Sequence, residues 1–151
     1  RAVGMDGTSR DLAAQTVSVT PDAATHVLPL PWGALSADEI LLYDWAGPDG
    51  MPMQDHFAPH PYKAYDLRAP NLTSTVRQTD TGWDITLKAQ ALALFASVEA
   101  DQPGRFSANA VTVRPGHPVT LQFLPHSAGN TPTFILRDLH SATYDNRKAL
   151  P

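Results

Sequence analysis

Residues 83–89, which read WDITLKA, decide the fold class because their apolar and polar side chains alternate without interruption. An alternation of period two is typical of a strand with one buried face. The same alternation returns at residues 92–98 and again at residues 119–123. The sequence therefore predicts three half-buried strands in its second half.

Turn sequences separate these strands at residues 80–82, 102–104 and 114–116, each of which ends in glycine. Weaker strand candidates lie at residues 72–78, 109–113 and 133–139. Six or seven short strands at this spacing indicate a β-sandwich. The 14 prolines of the chain favour the same architecture, since they oppose long helices. We expect residues 71–151 to form one complete sandwich.

The first half of the chain has a looser pattern that predicts three or four strands. Its apolar pairs are Val17 and Val19, Val27 and Leu30, and Ile40 and Leu42, with turns at residues 32–33 and 47–50. A complete sandwich needs about seven strands. We therefore expect residues 1–70 to be a sandwich that is incomplete at its N-terminus, with its first strands missing from this sequence. Prolines at positions 59, 61 and 70 predict a stiff connector, and we place the domain boundary near Pro70.

Charge and composition exclude several classes of function. The net charge is −4, and no segment combines lysine and arginine with aromatic residues as nucleic-acid binding requires. No apolar run approaches the roughly 20 residues of a membrane span. The chain has no cysteine, which excludes disulfides, thiolate metal sites and cysteine nucleophiles. We expect no nucleic-acid partner, no membrane partner and no cofactor.

Three motifs in order carry a resemblance to a known family. Residues 85–94 read ITLKAQALAL, residues 104–109 read GRFSAN, and residues 113–116 read VRPG. This order resembles the C-terminal immunoglobulin-like domain of β-mannosidases of glycoside hydrolase family two. Departures from the family pattern are Ala108 in place of an aspartate, Ala110 and Val111 in place of aromatic residues, and Arg114 in place of a leucine.

Upstream motifs resemble the end of the preceding mannosidase sandwich and its exit linker. They are LLYD at residues 41–44, Asp49-Gly50, DHF at residues 55–57 and YKAYDL at residues 62–67. The resemblance thus implies an all-β chain of two immunoglobulin-like β-sandwiches in tandem. Residues 1–70 would be the C-terminal part of the first sandwich plus the linker, and residues 71–151 would be the last sandwich.

The resemblance also implies a parent enzyme and a reaction. That parent has N-terminal domains, a TIM barrel and two C-terminal sandwiches, and it removes terminal, non-reducing β-mannosyl residues with retention. Two glutamates of the barrel, about 5–5.5 Å apart, would act as acid/base and nucleophile. Neither of the family's two catalytic-glutamate motifs occurs in this chain. We therefore expect a non-catalytic accessory segment whose partner is the remainder of the parent, which meets mannoside only through that parent.

The alternative is a free-standing carbohydrate-binding or adhesion module with an immunoglobulin-like fold. Such a module needs a contiguous exposed aromatic platform and a complete first domain. The residues that a sugar-binding surface could use are Trp32, Trp45, Trp83, Tyr62 and Tyr65. For Trp83 a place in the core is favoured, because it shares a strand face with Ile85 and Leu87.

The candidate polar residues have structural interpretations that we prefer to functional ones. The acids Asp44, Asp49, Asp55, Asp66 and Asp84 fall in turns or on polar strand faces, where solvated carboxylates are common. Asp55, His56 and His60 are metal-ligand types, but Pro59 and Pro61 exclude a helix that would align the histidines.

The remaining motifs also favour structural interpretations. We expect Phe106 in the core and Arg105 bonded to nearby carbonyls or a neighbouring domain. Asn71-Leu72-Thr73 matches the glycosylation pattern, to which we give no weight. No catalytic, substrate-binding, cofactor or metal residue is predicted in this chain.

Overall fold

The structure is a computed structural model that describes residues 1–50, 52–127 and 131–144, with the backbone alone at Trp32. Strands and helices in these ranges are β1 (Ala2–Gly4), β2 (Ser9–Arg10), β3 (Glu39–Ala46), β4 (Pro52–Phe57), β5 (Thr73–Gln78), β6 (Trp83–Lys88), β7 (Ala93–Ala100), β8 (Gly104–Phe106), β9 (Val111–Val113), β10 (Val119–Pro125), β11 (Phe134–Arg137) and α1 (Leu139–Tyr144). Two 3-10 turns occupy Trp32–Ala34 and Tyr62–Ala64. The predicted all-β fold is confirmed.

The strands form three antiparallel sheets. The first sheet has the order β2-β1-β3-β4, the second β5-β6-β10-β8 and the third β11-β7-β9. The second and third sheets enclose the main core, which consists of Ile85, Leu87, Ala93, Ala96, Val98, Val113, Leu121 and Phe123. Alternation in β6 explains this burial, because Ile85 and Leu87 face inward from one side of the strand. These two sheets make the immunoglobulin-like sandwich.

Most strands of the second half lie where the sequence predicts them, and the ends of β8 and β9 have a local explanation. β8 begins at Gly104, which the sequence places in a turn. β9 begins at Val111 rather than at residue 109, because the Asn109 side chain replaces backbone pairing there. Its Oδ1 accepts from the Val98 amide at 2.9 Å, and its Nδ2 donates to the Val98 carbonyl at 3.0 Å.

Two of the strand predictions for the first half of the chain are wrong. Residues 11–31 contain no strand, although Val17, Val19, Val27 and Leu30 were expected to mark two. Val19 is 73% exposed and Val27 is 53% exposed, so neither side chain has a core to enter. The first sheet instead uses β1 and β2, and the side chains of Val3 in β1 and of Met5 directly after it are fully buried. Ile40 and Leu42 lie in β3 as predicted.

Strand β7 serves two cores because it contains a β-bulge. The register with β9 shifts between Ala93 and Ala96, and Phe95 adopts a φ of 53° there. Ala93 and Ala96 face the sandwich core, whereas Leu94 faces the first sheet. The second cluster joins the two halves and consists of Val3, Met5, Ile40, Leu42, Tyr65, Leu92 and Leu94. The first sheet therefore packs on the sandwich through β7, and the boundary near Pro70 stays a prediction.

The connector is less extended than its prolines predict. Residues 62–64 form a 3-10 turn, and the following Tyr65 is buried in the second cluster. Pro61 itself has the extended backbone that its ring favours, with φ −56° and ψ 140°. Within the described ranges, no helix has the length and apolar character to cross a membrane.

Candidate functional site

A polar and aromatic junction forms where the first sheet meets the sandwich, and we call it the His56 junction. It consists of His56 from β4, Tyr62 from the second 3-10 turn, Phe95 from β7 and Thr112 from β9. His56 Nε2 lies 2.9 Å from the Tyr62 hydroxyl, and His56 Nδ1 lies 3.1 Å from Thr112 Oγ1. The ring of Phe95 meets both the His56 and Tyr62 rings edge to face, at centroid distances of 5.2 Å.

Burial dominates the electrostatics of this junction. Desolvation lowers the pKa of His56 below its ordinary value, and the neighbouring Asp55 carboxylate only partly offsets it. The pKa of Tyr62 is raised, first by burial and then by the electrostatic influence of the neighbouring Tyr65 and Asp55 side chains. His56 is therefore neutral near pH 7, with one ring nitrogen donating a hydrogen bond and the other accepting one.

A second feature is an exposed apolar row on the opposite face of the first sheet, which we call the outer aromatic surface. It consists of Tyr43 and Trp45 on β3 and Met53 and Phe57 on β4. Tyr43 is 41% exposed and Trp45 is 45% exposed, and their rings stack at 5.8 Å with an interplanar angle of 21°. In the strand register Trp45 pairs with Met53, and Tyr43 pairs with Asp55.

This surface has a polar centre and an adjoining cleft. Burial and the Asp55 carboxylate, which accepts a hydrogen bond from the Tyr43 hydroxyl, raise the pKa of Tyr43. The cleft has a volume of about 340 Å³ and lies beside Phe57. Its other lining residues are mainly apolar and include Leu30, Pro31, Ala34, Leu35, Leu41 and Pro59.

The structure does not gather the five predicted acids into one site. Asp44 pairs with Arg1 at 2.6 Å, Asp66 pairs with Arg68 at 3.0 Å, and Asp84 pairs with Arg77. Asp49 lies in the β3–β4 turn, and Asp55 lies on the outer aromatic surface. Asp44 and Asp55 point to opposite faces of the first sheet, because they occupy positions of opposite parity in the β3–β4 register.

The possible metal ligands are also separated. Within the described ranges, no three histidine, cysteine, aspartate or glutamate side chains approach closely enough to share an ion. Both ring nitrogens of His56 are instead within hydrogen-bond distance of hydroxyl groups.

The other residues singled out from the sequence lie elsewhere in the fold. Trp83 and Phe106 are half-buried against the sandwich core, and Tyr65 is buried in the second cluster. Arg105 is exposed on β8, and the Trp32 side chain lies outside the description. The Asn71 side chain donates to Gln90 Oε1 at 2.9 Å.

Sequence reasoning did not single out five residues of these two surfaces, namely Tyr43, Met53, Phe57, Phe95 and Thr112. Tyr43 could have been found, since it lies two positions before Trp45 and so shares its strand face. Phe95 could not, because the bulge in β7 reverses the face that the alternation predicts. Thr112 reaches His56 only through a contact 56 residues away in sequence.

Arg114, one of the four departures from the pattern that the motifs resemble, is an unusual buried charge. It is 6% exposed, and its Nε has no hydrogen-bond partner among the described residues. Burial and the repulsion of Arg1 lower its pKa, whereas Asp44 and Asp11 raise it. Both of these carboxylates are in contact with Arg1, at 2.6 and 2.9 Å. This guanidinium is therefore poorly compensated.

Comparison with known families explains the sandwich. The model of a family described as Ig_mannosidase, an Ig-fold domain, matches residues 67–142, which is half of the chain. The match covers β5 to β11 and most of α1, with the residues that build the main core. Comparison with curated proteins finds no match. The chain therefore belongs to the Ig_mannosidase family of Ig-fold domains.

Proposed function

We propose that this chain is a non-catalytic accessory segment of an exo-acting, retaining β-mannosidase of glycoside hydrolase family two. The observation that carries the proposal is the match of an Ig_mannosidase domain over residues 67–142. The three motifs that resemble the last β-mannosidase domain support the narrower assignment. In this proposal the parent hydrolyses terminal, non-reducing β-D-mannose residues, and its barrel supplies both catalytic glutamates.

The distribution of acids supports a non-catalytic role. A glycosidase needs two carboxyl groups that face one glycosidic bond. Here Asp44 and Asp84 form ion pairs with arginines. Asp49 lies in a turn, and Asp55 lies on a separate strand face. The proposed partner is the remainder of the parent, namely its barrel and N-terminal domains.

An activity measurement tests this proposal. The purified chain should not hydrolyse a chromogenic β-mannoside, whereas a longer polypeptide that joins it to a barrel should do so. Turnover by the purified chain that disappears in Asp44→Asn or Asp84→Asn would contradict the non-catalytic role. Turnover of a different chromogenic glycoside by the longer polypeptide would contradict the β-mannosidase assignment and leave the accessory role intact.

The outer aromatic surface favours a second candidate function, carbohydrate binding by this segment itself. Aromatic rings can pack on the apolar face of a pyranose, and a carboxylate such as Asp55 can accept hydrogen bonds from its hydroxyl groups. Asp55 lies opposite Tyr43 in the middle of this surface, whereas aspartate is depleted at the core of protein–protein interfaces.

Titration with manno-oligosaccharides tests this second function. Saturable perturbation of the Trp45 indole resonance is expected and should be lost in Tyr43→Ala. Ile135→Ala, which changes an exposed apolar residue on β11, is the matched control. If the indole resonance does not move in the wild-type chain, this surface is not a sugar site.

A further inference from the structure

The His56 junction joins four elements of the fold through one side chain. His56 belongs to β4, and its ring contacts the 3-10 turn through Tyr62, the bulge of β7 through Phe95 and strand β9 through Thr112. The hydrogen bond to Thr112 links residues 56 positions apart, across the interface between the first sheet and the sandwich. A change in the charge of His56 therefore acts directly on that interface.

The surroundings of His56 suit its neutral form. A neutral imidazole offers one donor and one acceptor, and the Tyr62 and Thr112 hydroxyls can each take either role. Protonation makes both ring nitrogens donors, and both hydroxyls can accept, so the cost of protonation comes from burial of the charge and not from a lost hydrogen bond. Protonation places a positive charge against the rings of Tyr62 and Phe95, in a half-buried site.

Few charged groups face this ring. On β4 the neighbouring Asp55 favours the protonated form. The 3-10 turn contributes the Tyr62 hydroxyl, β7 contributes Phe95, and β9 contributes the uncharged Thr112. Desolvation exceeds the attraction of Asp55, which is why the pKa of His56 lies below its ordinary value.

The bulge at Phe95 depends on the contacts of the same junction. Phe95 is held at a φ of 53°, in the left-handed region that non-glycine residues rarely occupy. Such a conformation persists only where surrounding contacts enforce it. The contacts that Phe95 makes at the junction are the rings of His56 and Tyr62. Separation of these rings removes part of the force that holds the bulge.

We propose that His56 is a pH-dependent latch, which ties the first sheet to the sandwich when neutral and loosens the contact between β4 and β9 when protonated. This role concerns the association of the two halves and does not rest on the proposed function. Bulk water around the charged imidazole stabilises the loosened form, while the second cluster keeps the first sheet on the sandwich.

Linkage gives the direction of the effect. The pKa of His56 is lower in the closed junction than in an open one, where it approaches the ordinary value near 6.5. The neutral ring therefore contributes its full stabilisation above about pH 6.5. That contribution declines as the pH falls below this value, so mild acid should open the junction.

Hydrogen exchange of the whole 151-residue chain, followed by mass spectrometry at pH 7.5 and pH 5.0, tests the latch. After correction for the intrinsic rate, exchange in β4 and β9 should rise about threefold or more at pH 5.0. Exchange in β6 and β10, which lie in the sheet farther from the junction, should change less. His56→Phe should abolish the pH-dependent rise, because it keeps an aromatic ring but cannot titrate.

Two further variants complete the test. His126→Asn removes an exposed histidine elsewhere and should behave as the wild type. Thr112→Val keeps His56 but removes one hydroxyl partner, so the junction should already exchange faster at pH 7.5. The latch is refuted if the corrected rise at pH 5.0 persists in His56→Phe, or is absent in the wild type. If His56→Phe does not fold, a Thr112→Val profile identical to that of the wild type refutes it instead.

Discussion

Replacement of Arg114 by methionine should stabilise this chain, although it deletes a buried charged side chain. Methionine keeps the unbranched stem and removes the enclosed Nε, which has no hydrogen-bond partner among the described residues. A buried polar group without a partner costs about 1–3 kcal/mol. The change also removes repulsion from Arg1. Against this, the attraction to Asp44 and Asp11 is lost, but both carboxylates are already paired with Arg1.

The net expectation for Arg114→Met is a stabilisation of about 1–2 kcal/mol, or a rise in Tm of about 2–8 °C for a chain of this length. Urea denaturation followed by circular dichroism measures it. Arg105→Met, which changes an exposed arginine on β8, is the matched control and should shift the midpoint little. If Arg114→Met lowers the free energy of unfolding by more than about 1 kcal/mol while the control is unchanged, the guanidinium is well compensated and the reasoning is refuted.

Three other changes test the packing and the surface charges. Gly82→Ala places a methyl group on the Phe123 carbonyl oxygen, so it should cost about 3 kcal/mol by thermal denaturation, whereas Gly33→Ala has open space and should be neutral. Phe106→Ala empties a half-buried site beside Phe123 and should cost about 3 kcal/mol, and an unchanged midpoint would place Phe106 outside the core. Arg10, the ion-pair partner of Glu39, lowers the pKa of the Glu39 carboxyl to about 2. The stabilisation that this ion pair contributes is therefore present above about pH 4.5 and lost toward pH 2. The difference in Tm between wild type and Glu39→Gln should shrink over that range.

The sequence by itself determined the sandwich. Alternation in residues 83–89 predicts which side of β6 is buried, because a strand turns successive side chains to opposite faces whatever it pairs with. Glycine and proline turns then limit where the strands can end. These rules are local, and they hold for β5 to β11 except at Gly104, at Asn109 and at the bulge in β7. They fail at residues 11–31, where apolar valines find no neighbouring strand.

Only the tertiary structure decided how the two halves meet. The bulge at Phe95 turns Leu94 toward the first sheet and Ala96 toward the sandwich, which strict alternation would not allow. The contact between His56 and Thr112 spans 56 residues, and no local rule relates them. Arg114 looks like an ordinary turn residue before Pro115, whereas in the folded chain it is only 6% exposed. Burial, hydrogen-bond partners and pKa depend on neighbours in space, which the order of residues does not specify until the sheets are packed.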